Sequence, residues 1–303
     1  VRIFINRRPV DGPWGGGSKV IKAITDEARK RGHDVTHDAS IPSDLILCVD
    51  PRADNDTNFG TLLEMKKRDK SLLVQRVGDL GYHGKPDLLD LVRKASQFAD
   101  YIIFPSNWAK IQCNVSNFNT CVIQNAPLDK FIRPNAHRQK IDGIKIVSHH
   151  WSDNIMKGFS TYQALDQFCQ ERENYKFTFI GRKPPNIELK NYVSPQDSNG
   201  LVDLLPKNNL YVTASKKEAG ANHVLEAIGL GLPVLYHVEG GSINEYCQNY
   251  GLQYKDDDEL MSLISDSSRM KKLIEDMPAY GRNASLMAAE YIDLFESLYE
   301  NKH

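Results

Sequence analysis

Short apolar runs alternate along the chain with longer stretches in which apolar positions recur every three or four residues. "RIFIN" (2–6) predicts a first strand. The glycines at 15–17 follow, and then "SKVIKAITDEARKRG", whose Val20, Ile21, Ile24 and Ala28 share one helical face, with Gly32 as a stop. "LILCVD" (45–50) and "LLVQRV" (72–77) are continuous apolar runs of the kind that strands covered on both faces show. "PDLLDLVRKASQFA" (86–99) predicts a helix with Pro at its start, and "YIIFPS" (101–106) and "CVIQNA" (121–126) predict further strands. The polar stretch "PLDKFIRPNAHRQKID" (127–142) holds two prolines and no period, which predicts a linker.

The alternation then restarts. "IKIVSHH" (144–150), "YKFTFIG" (175–181), "NLYVTAS" (209–215) and "PVLYHV" (233–238) read as strands, with helices near 158–172, 221–230, 258–266 and 268–277. "GRNASLMAAEYIDLFESLYEN" (281–301) is an amphipathic final helix. The fold class expected is α/β, with two successive Rossmann-like parallel-sheet domains over 1–135 and 136–280. Parallel sheets bind ligands at the carboxyl ends of their strands, so two such domains facing an interdomain cleft would bind them there.

Composition narrows the class without changing this picture. The 303 residues are 41% hydrophobic and 25% charged, as in a globular enzyme. A net charge of −1 gives no electrostatic footprint for nucleic acid. Residues 1–135 carry 20 Lys/Arg against 16 Asp/Glu, leaving 18 against 23 in the rest. The mildly basic first half is compatible with ordinary surface variation, an anionic acceptor or peripheral membrane contact. Cys48, Cys113, Cys121, Cys169 and Cys247 are odd in number and lack a C-x-x-C spacing, so reduced core thiols in a cytoplasmic protein are expected. Sequons at Asn55, Asn114 and Asn283, with no leader segment in view, are read as chance matches.

Two segments suggest chemistry. "DGPWGGGSK" (11–19) resembles a phosphate cradle, yet Gly17-Ser18-Lys19 inverts the Gly-Lys-Ser/Thr order of a nucleoside-triphosphate loop. Val20 also occupies the last glycine position of a dinucleotide fingerprint. What survives is a glycine turn that lets an anion approach the backbone and a helix N-terminus, with Gly16 and Gly17 the candidate contacts and a plain strand-to-helix turn as the alternative. The richer segment is "ASKKEAGANHVLEAIGLGLPVLYHVEGGSINEYC" (214–247). Glu218 lies in the loop after a strand, small residues at 219–221 leave the loop open, and Ala221 or Asn222 opens a helix that carries Glu226. Carboxylates from loop and helix can flank a ligand and accept hydrogen bonds from its hydroxyls.

This segment resembles the E-x7-E region of family-4 glycosyltransferases, retaining enzymes of the GT-B fold. Glu218 and Glu226 fall on the two motif glutamates, and "EAIGLGLPVL" and Gly240-Gly241 with Glu245 resemble the elements that follow. The resemblance implies that Glu218 meets the hydroxyls of the donor sugar and Glu226 the nucleotide ribose. The amides of Gly220, Ala221 and Asn222 would then face the sugar and diphosphate. "IKIVSHHWSDNIMKGF" (144–159) is similar to the segment that carries a basic pair for the diphosphate. Lys157-Gly158 matches its Lys-Gly, while the usual Arg is absent and His149 or His150 stands near its place. "FTFIGR" (177–182) resembles the strand end near the nucleotide, which implicates Gly181 and Arg182. "VIQNAPLDKF" (122–131) and "GGGSK…RGHDV" match in order, and 40–90 matches poorly. The implied activity is transfer of a hexose-like sugar from a nucleoside-diphosphate sugar to an acceptor hydroxyl, with retention. Glu218 and Lys157 would be the catalytic pair, and no cofactor or metal is implied. The helix at 281–303 would pack back on the first domain. The acceptor, whether glycan, lipid or small molecule, is not specified. A non-hydrolysing sugar-nucleotide epimerase and an inactive sugar-nucleotide-binding protein share these features.

Other residues carry bland readings. His149 and His150 end a strand, so one points into the core. His223 either contacts phosphate or packs at a helix start. Relatives often have His where "LLVQRV" ends; here stand Gln75 and Arg76, and Arg76 can pair with Asp79. His83 is a loop candidate for the acceptor, and "KKRDK" (66–70) reads as a solvated helix end. "DND" (54–56) and "DDDE" (256–259) are read as a polar loop and a helix N-terminus rather than metal sites.

Overall fold

The computed structural model describes residues 1–10, 16–52, 57–116, 119–133 and 142–302. They form two compact units, one from the described residues of 1–125 with 284–302, the other from 126–283. "DND", Asn55 and the first residues of the glycine stretch, 11–15, lie outside the described residues.

In the first unit the elements run β1 (Arg2–Ile5), α1 (Gly16–Lys30), β2 (Asp34–Thr36), β3 (Leu45–Cys48), α2 (Phe59–Asp69), β4 (Leu72–Arg76), α3 (Leu88–Ser96), β5 (Tyr101–Phe104), α4 (Asn107–Cys113) and β6 (Thr120–Val122). The strands make one parallel sheet, β2-β1-β3-β4-β5-β6. Ile3, Phe4, Ile5 and all of β3 are fully buried, which explains their continuous apolar character. Helix α1 buries the predicted stripe of Val20, Ile21, Ile24 and Ala28, and Gly32 follows it at φ +83°. Helix α3 starts later than expected. Asp87 takes a left-handed φ of 66°, so Pro86 precedes the helix instead of opening it.

The second unit runs β7 (Ile144–His150), α5 (Phe159–Gln170), β8 (Tyr175–Gly181), β9 (Tyr192–Val193), α6 (Ser198–Leu204), β10 (Leu210–Thr213), α7 (Asn222–Gly229), β11 (Val234–His237), α8 (Ser242–Cys247), β12 (Gly251–Tyr254), α9 (Asp257–Ser265) and α10 (Ser267–Glu275). Its parallel order, β12-β11-β10-β7-β8-β9, reverses direction between β7 and β10. Apolar residues fill both faces of the sheet. Val147, Tyr211, Val224, Leu225 and Ile228 lie on one side, and Ile146, Tyr162, Phe177, Phe179 and Val212 on the other. The stretch expected as a linker is ordered at its start. A single 3-10 turn at Asp129–Phe131 places Phe131, fully buried, in the core of this unit. Residues 134–141 lie outside the described residues.

The final helix α11 (Ala284–Glu300) belongs to the first unit and packs along α1. It buries Met287, Ala288, Tyr291, Ile292 and Phe295. Arg31 reaches Asp293 at 2.6 Å, and Glu296 at 3.3 Å, while His33 meets Glu296 at 2.8 Å. These pairs are partly exposed, so the apolar stripe supplies most of the adhesion. Among the described residues no helix is long and apolar enough to cross a membrane.

Candidate functional site

The switch from β7 to β10 marks the crevice where a sheet of this topology binds ligands. Lys157, Glu218, Glu226, His149, Ala221, Asn222 and His223, all singled out from the sequence, lie there within the second unit. Two neighbouring carboxylates organise the group.

Glu218 is the first. After β10 the chain turns through Lys217, at a left-handed φ of 53°, and lies against the segment after β11. The Glu218 amide donates to Gly240 O at 3.1 Å, and the Ser242 amide donates to Glu218 O at 2.8 Å. Gly241 sits at φ 72°, ψ −123°, a conformation only glycine adopts readily. The double glycine thus holds the backbone of the glutamate loop. The Glu218 carboxylate accepts from Lys157 Nζ at 2.5 Å and from Ser215 Oγ at 2.5 Å. Lys157 arrives by a separate route. Asn154 Oδ1 accepts from the Met156 amide and caps a single 3-10 turn, Ile155–Lys157. Gly158 then turns at φ +77°, and a Cβ there would stand 2.5 Å from the Ala214 Cβ. The Gly of the Lys-Gly pair is therefore required by the close passage of the β10 end. Both partners of the ion pair are nearly enclosed, at 12% and 13% side-chain exposure.

Glu226 is the second. Its side chain is 3% exposed and meets His149 Nε2 at 2.8 Å, while His149 Nδ1 lies 3.1 Å from Tyr211 Oη. With a proton on Nε2, the imidazole donates to the carboxylate and accepts from the tyrosine. His149 and His150 project to opposite faces of β7. His150 is 3% exposed, its Nε2 lies 2.6 Å from Tyr162 Oη, and its ring packs on Phe179. A ligand contact through Nε2 of His150 would require it to leave the tyrosine.

Helix α7 starts beside both carboxylates. Its N-cap is Ala221, which has no side chain to cap the first-turn amides, so this end is suited to an anion. Asn222, the first helical residue, has a buried Oδ1 that meets no donor among the described residues. His223 follows, with Nε2 3.0 Å from Thr213 Oγ1 and its ring 4.7 Å from that of His150. Burial pushes the His223 imidazole down to about 3. The Glu218 and Glu226 carboxylates oppose this shift, and Lys157 and His149 add to it. The unfolded chain binds the same proton near 6.5, so unfolding takes up a proton between the two values. Stability from this group is complete above 6.5 and is lost as pH falls toward 3. His223→Gln is expected to flatten the acid limb of the denaturation midpoint against pH by up to one proton. An unchanged slope would remove His223 as its source.

Gly181 ends β8 opposite His150 at φ +128°, and the Arg182 amide donates to His150 O at 2.9 Å. The Arg182 side chain is exposed. Gly16 and Gly17 form the first turn of α1 in the first unit, where a Cβ on Gly17 would meet nothing within 4 Å. "DDDE" is a helix start as expected: Asp256 caps α9, and Asp257 accepts from Thr161 Oγ1. The pairing of Arg76 with Asp79 does not occur. Asp79 binds Lys85 at 2.6 Å, and Arg76 turns to Tyr291 and Asn125. Among the described residues no group of three or more His, Cys, Asp or Glu could hold a metal ion.

Sequence reasoning passed over Tyr211, Thr213 and Ser215. They occupy alternate positions of "YVTAS" and contact His149, His223 and Glu218 in turn. That period of two, polar on one face of an otherwise apolar strand, is the signal that could have revealed them.

No protein-family model matches the sequence, and no curated protein does. Solved structures match over the whole chain. Sucrose-phosphate synthase from Thermosynechococcus elongatus aligns with a TM-score of 0.69 at 13% identity, covering 99% of each chain. Anabaena HepE in complex with UDP-glucose aligns at 0.68 and 14%, covering 99% of this chain and 98% of that one. WaaG, a glycosyltransferase involved in lipopolysaccharide biosynthesis, aligns at 0.66 and 15%, covering 97% and 99%. The chain has the GT-B fold, with one six-stranded parallel sheet in each unit.

Proposed function

We propose that the protein is a retaining glycosyltransferase that moves a hexose-like sugar from a nucleoside-diphosphate sugar to an acceptor hydroxyl. The observation that carries this reading is the meeting of Lys157, Glu218, Glu226 and the uncapped start of α7 at the switch point of one sheet. The complexes of HepE with UDP and UDP-glucose support a nucleotide-sugar donor.

In this reading the diphosphate lies against the amides of Gly220, Ala221 and Asn222 and the ammonium of Lys157. That ammonium has three donors, one of which already holds Glu218. Glu218 faces the sugar, Glu226 the ribose, and the orphan Oδ1 of Asn222 accepts from a donor hydroxyl. The bond from the anomeric carbon to the phosphate oxygen breaks as the acceptor oxygen bonds on the same face. The acceptor proton passes to the departing phosphate oxygen. Fixed positive groups stabilise the charge that develops on the leaving group. The reading requires no metal ion.

A panel of UDP-, GDP- and ADP-sugars, followed for nucleotide release and product anomer, tests this. One donor is expected to give acceptor-dependent release with retained configuration. Release with an altered donor sugar and no acceptor would mark an epimerase, and binding without turnover an inactive module. Glu226→Gln is expected to weaken nucleotide binding about tenfold or more, the scale of a charged hydrogen bond. Unchanged binding in a folded variant would sink the ribose assignment.

A further inference from the structure

Arg76 ends β4 in the first unit and is 6% exposed. Its Nε donates to Tyr291 Oη at 3.0 Å and its Nη2 to Asn125 Oδ1 at 2.9 Å. Both partners are neutral and buried, at 0% and 3% exposure. No carboxylate among the described residues pairs with this guanidinium, since the nearest in sequence, Asp79, is held by Lys85. A guanidinium has five N–H donors, and two are engaged among the described residues. The Nη1 end lies under Gly78, an exposed residue. A Cβ on Gly78 would stand 2.6 Å from Nη1, so any larger side chain there would crowd that end.

A buried charge without a counter-charge is costly, and proteins ordinarily pair it. Arg76 stands at the carboxyl end of a parallel strand, where such sheets receive ligands. The polar side chains that hold it, Tyr291 and Asn125, orient the fork without neutralising it. We infer that Arg76 is the anchor of an oxyanion site in the first unit, which takes a phosphate or carboxylate group through its unengaged N–H donors. On the transferase reading, this group belongs to the acceptor, which is therefore anionic. The anion site itself does not depend on that reading.

The test uses inorganic phosphate and acetate, each against chloride at matched ionic strength, with melting temperature as the readout. Lys157→Gln serves as the background, because it removes the donor-side cation of the second unit. An anion at about ten times its Kd raises a melting temperature by about 2–4 °C. That gain is expected in Lys157→Gln with at least one of the anions, and its loss in Lys157→Gln/Arg76→Gln; the anion that produces it identifies the chemistry. An equal gain in both proteins, or none in Lys157→Gln with either anion, overturns the site. If Arg76→Gln does not fold, Gly78→Ala replaces it and is expected to remove at least half of the gain; an undiminished gain overturns the site. UDP affinity is measured separately in Arg76→Gln or its replacement. Affinity within twofold of the parent places the anion apart from the donor, whereas a loss of tenfold or more overturns the acceptor assignment. Failure of the sugar-nucleotide panel with the phosphate or acetate response intact would reject the transferase reading alone.

Discussion

Lys157→Gln is expected to lower turnover by about 10²–10³-fold, the scale seen when one donor that stabilises transition-state charge is removed. The donor Kd is expected to rise by less than about tenfold. The asymmetry follows from charge. The diphosphate already bears negative charge when bound, but gains more as the sugar leaves, so the ammonium matters most in the transition state. Its place is set by Gly158, by the capped turn before it, and by Glu218 at 2.5 Å. Single-turnover rates and nucleotide titrations on the same preparation separate the two effects. A loss confined to binding would make Lys157 a simple anchor. Glu218→Gln should reproduce part of the rate loss, because the amide weakens the grip on Lys157 as well as on the sugar. A Glu218→Gln enzyme with full turnover would exclude the paired role.

Gly181→Ala is expected to have the largest effect on stability, a loss of at least about 3 kcal/mol in the second unit. Two penalties combine. The residue stands at φ +128°, which L side chains rarely adopt, and its new Cβ would lie 1.9 Å from His150 O. Relief would require β7 and β8 to separate at their last registered pair, where His150 also receives the Arg182 amide. Gly17→Ala is the matched control. Its Cβ meets nothing within 4 Å and lies in the first turn of α1, so stability should hold or rise slightly. A drop in turnover with that substitution and no loss of stability would support the anion contact expected of Gly16 and Gly17. Chemical denaturation of both variants checks the contrast, and near-native stability of Gly181→Ala would refute the steric account.

Much of the sheet framework is visible in the sequence because strands buried on both faces leave unbroken apolar runs. β7 and β8 match their predicted limits at both ends, although Lys145 and Lys176 interrupt their apolar runs. Several short elements were not seen. Helix α4 is seven residues long and α8 six, too few for a helical period to register, and α4 depends on a Ser106 cap. The 3-residue edge strand β2 is as short. At the site, Glu218, Glu226 and Lys157 are recognisable by type and spacing, but their partners are not. His149 lies 77 positions before Glu226, and only the order of β10 beside β7 brings Tyr211 to it. Arg76 illustrates the same limit: the carboxylate closest in sequence is not its partner, because the polar groups that meet it come from the end of the sheet and from α11.

The return of α11 to the first unit affects how the chain reaches its native state during synthesis. Every strand of that unit leaves the ribosome well before the helix that covers Tyr291, Ile292 and Phe295. The second unit, whose residues are contiguous from 126 to 283, can complete its packing first. Until α11 emerges, the apolar side of α1 that receives it stays uncovered and Arg76 lacks its tyrosine. The nascent first unit is thus an expected client for chaperones, and truncations before residue 284 should accumulate as aggregates.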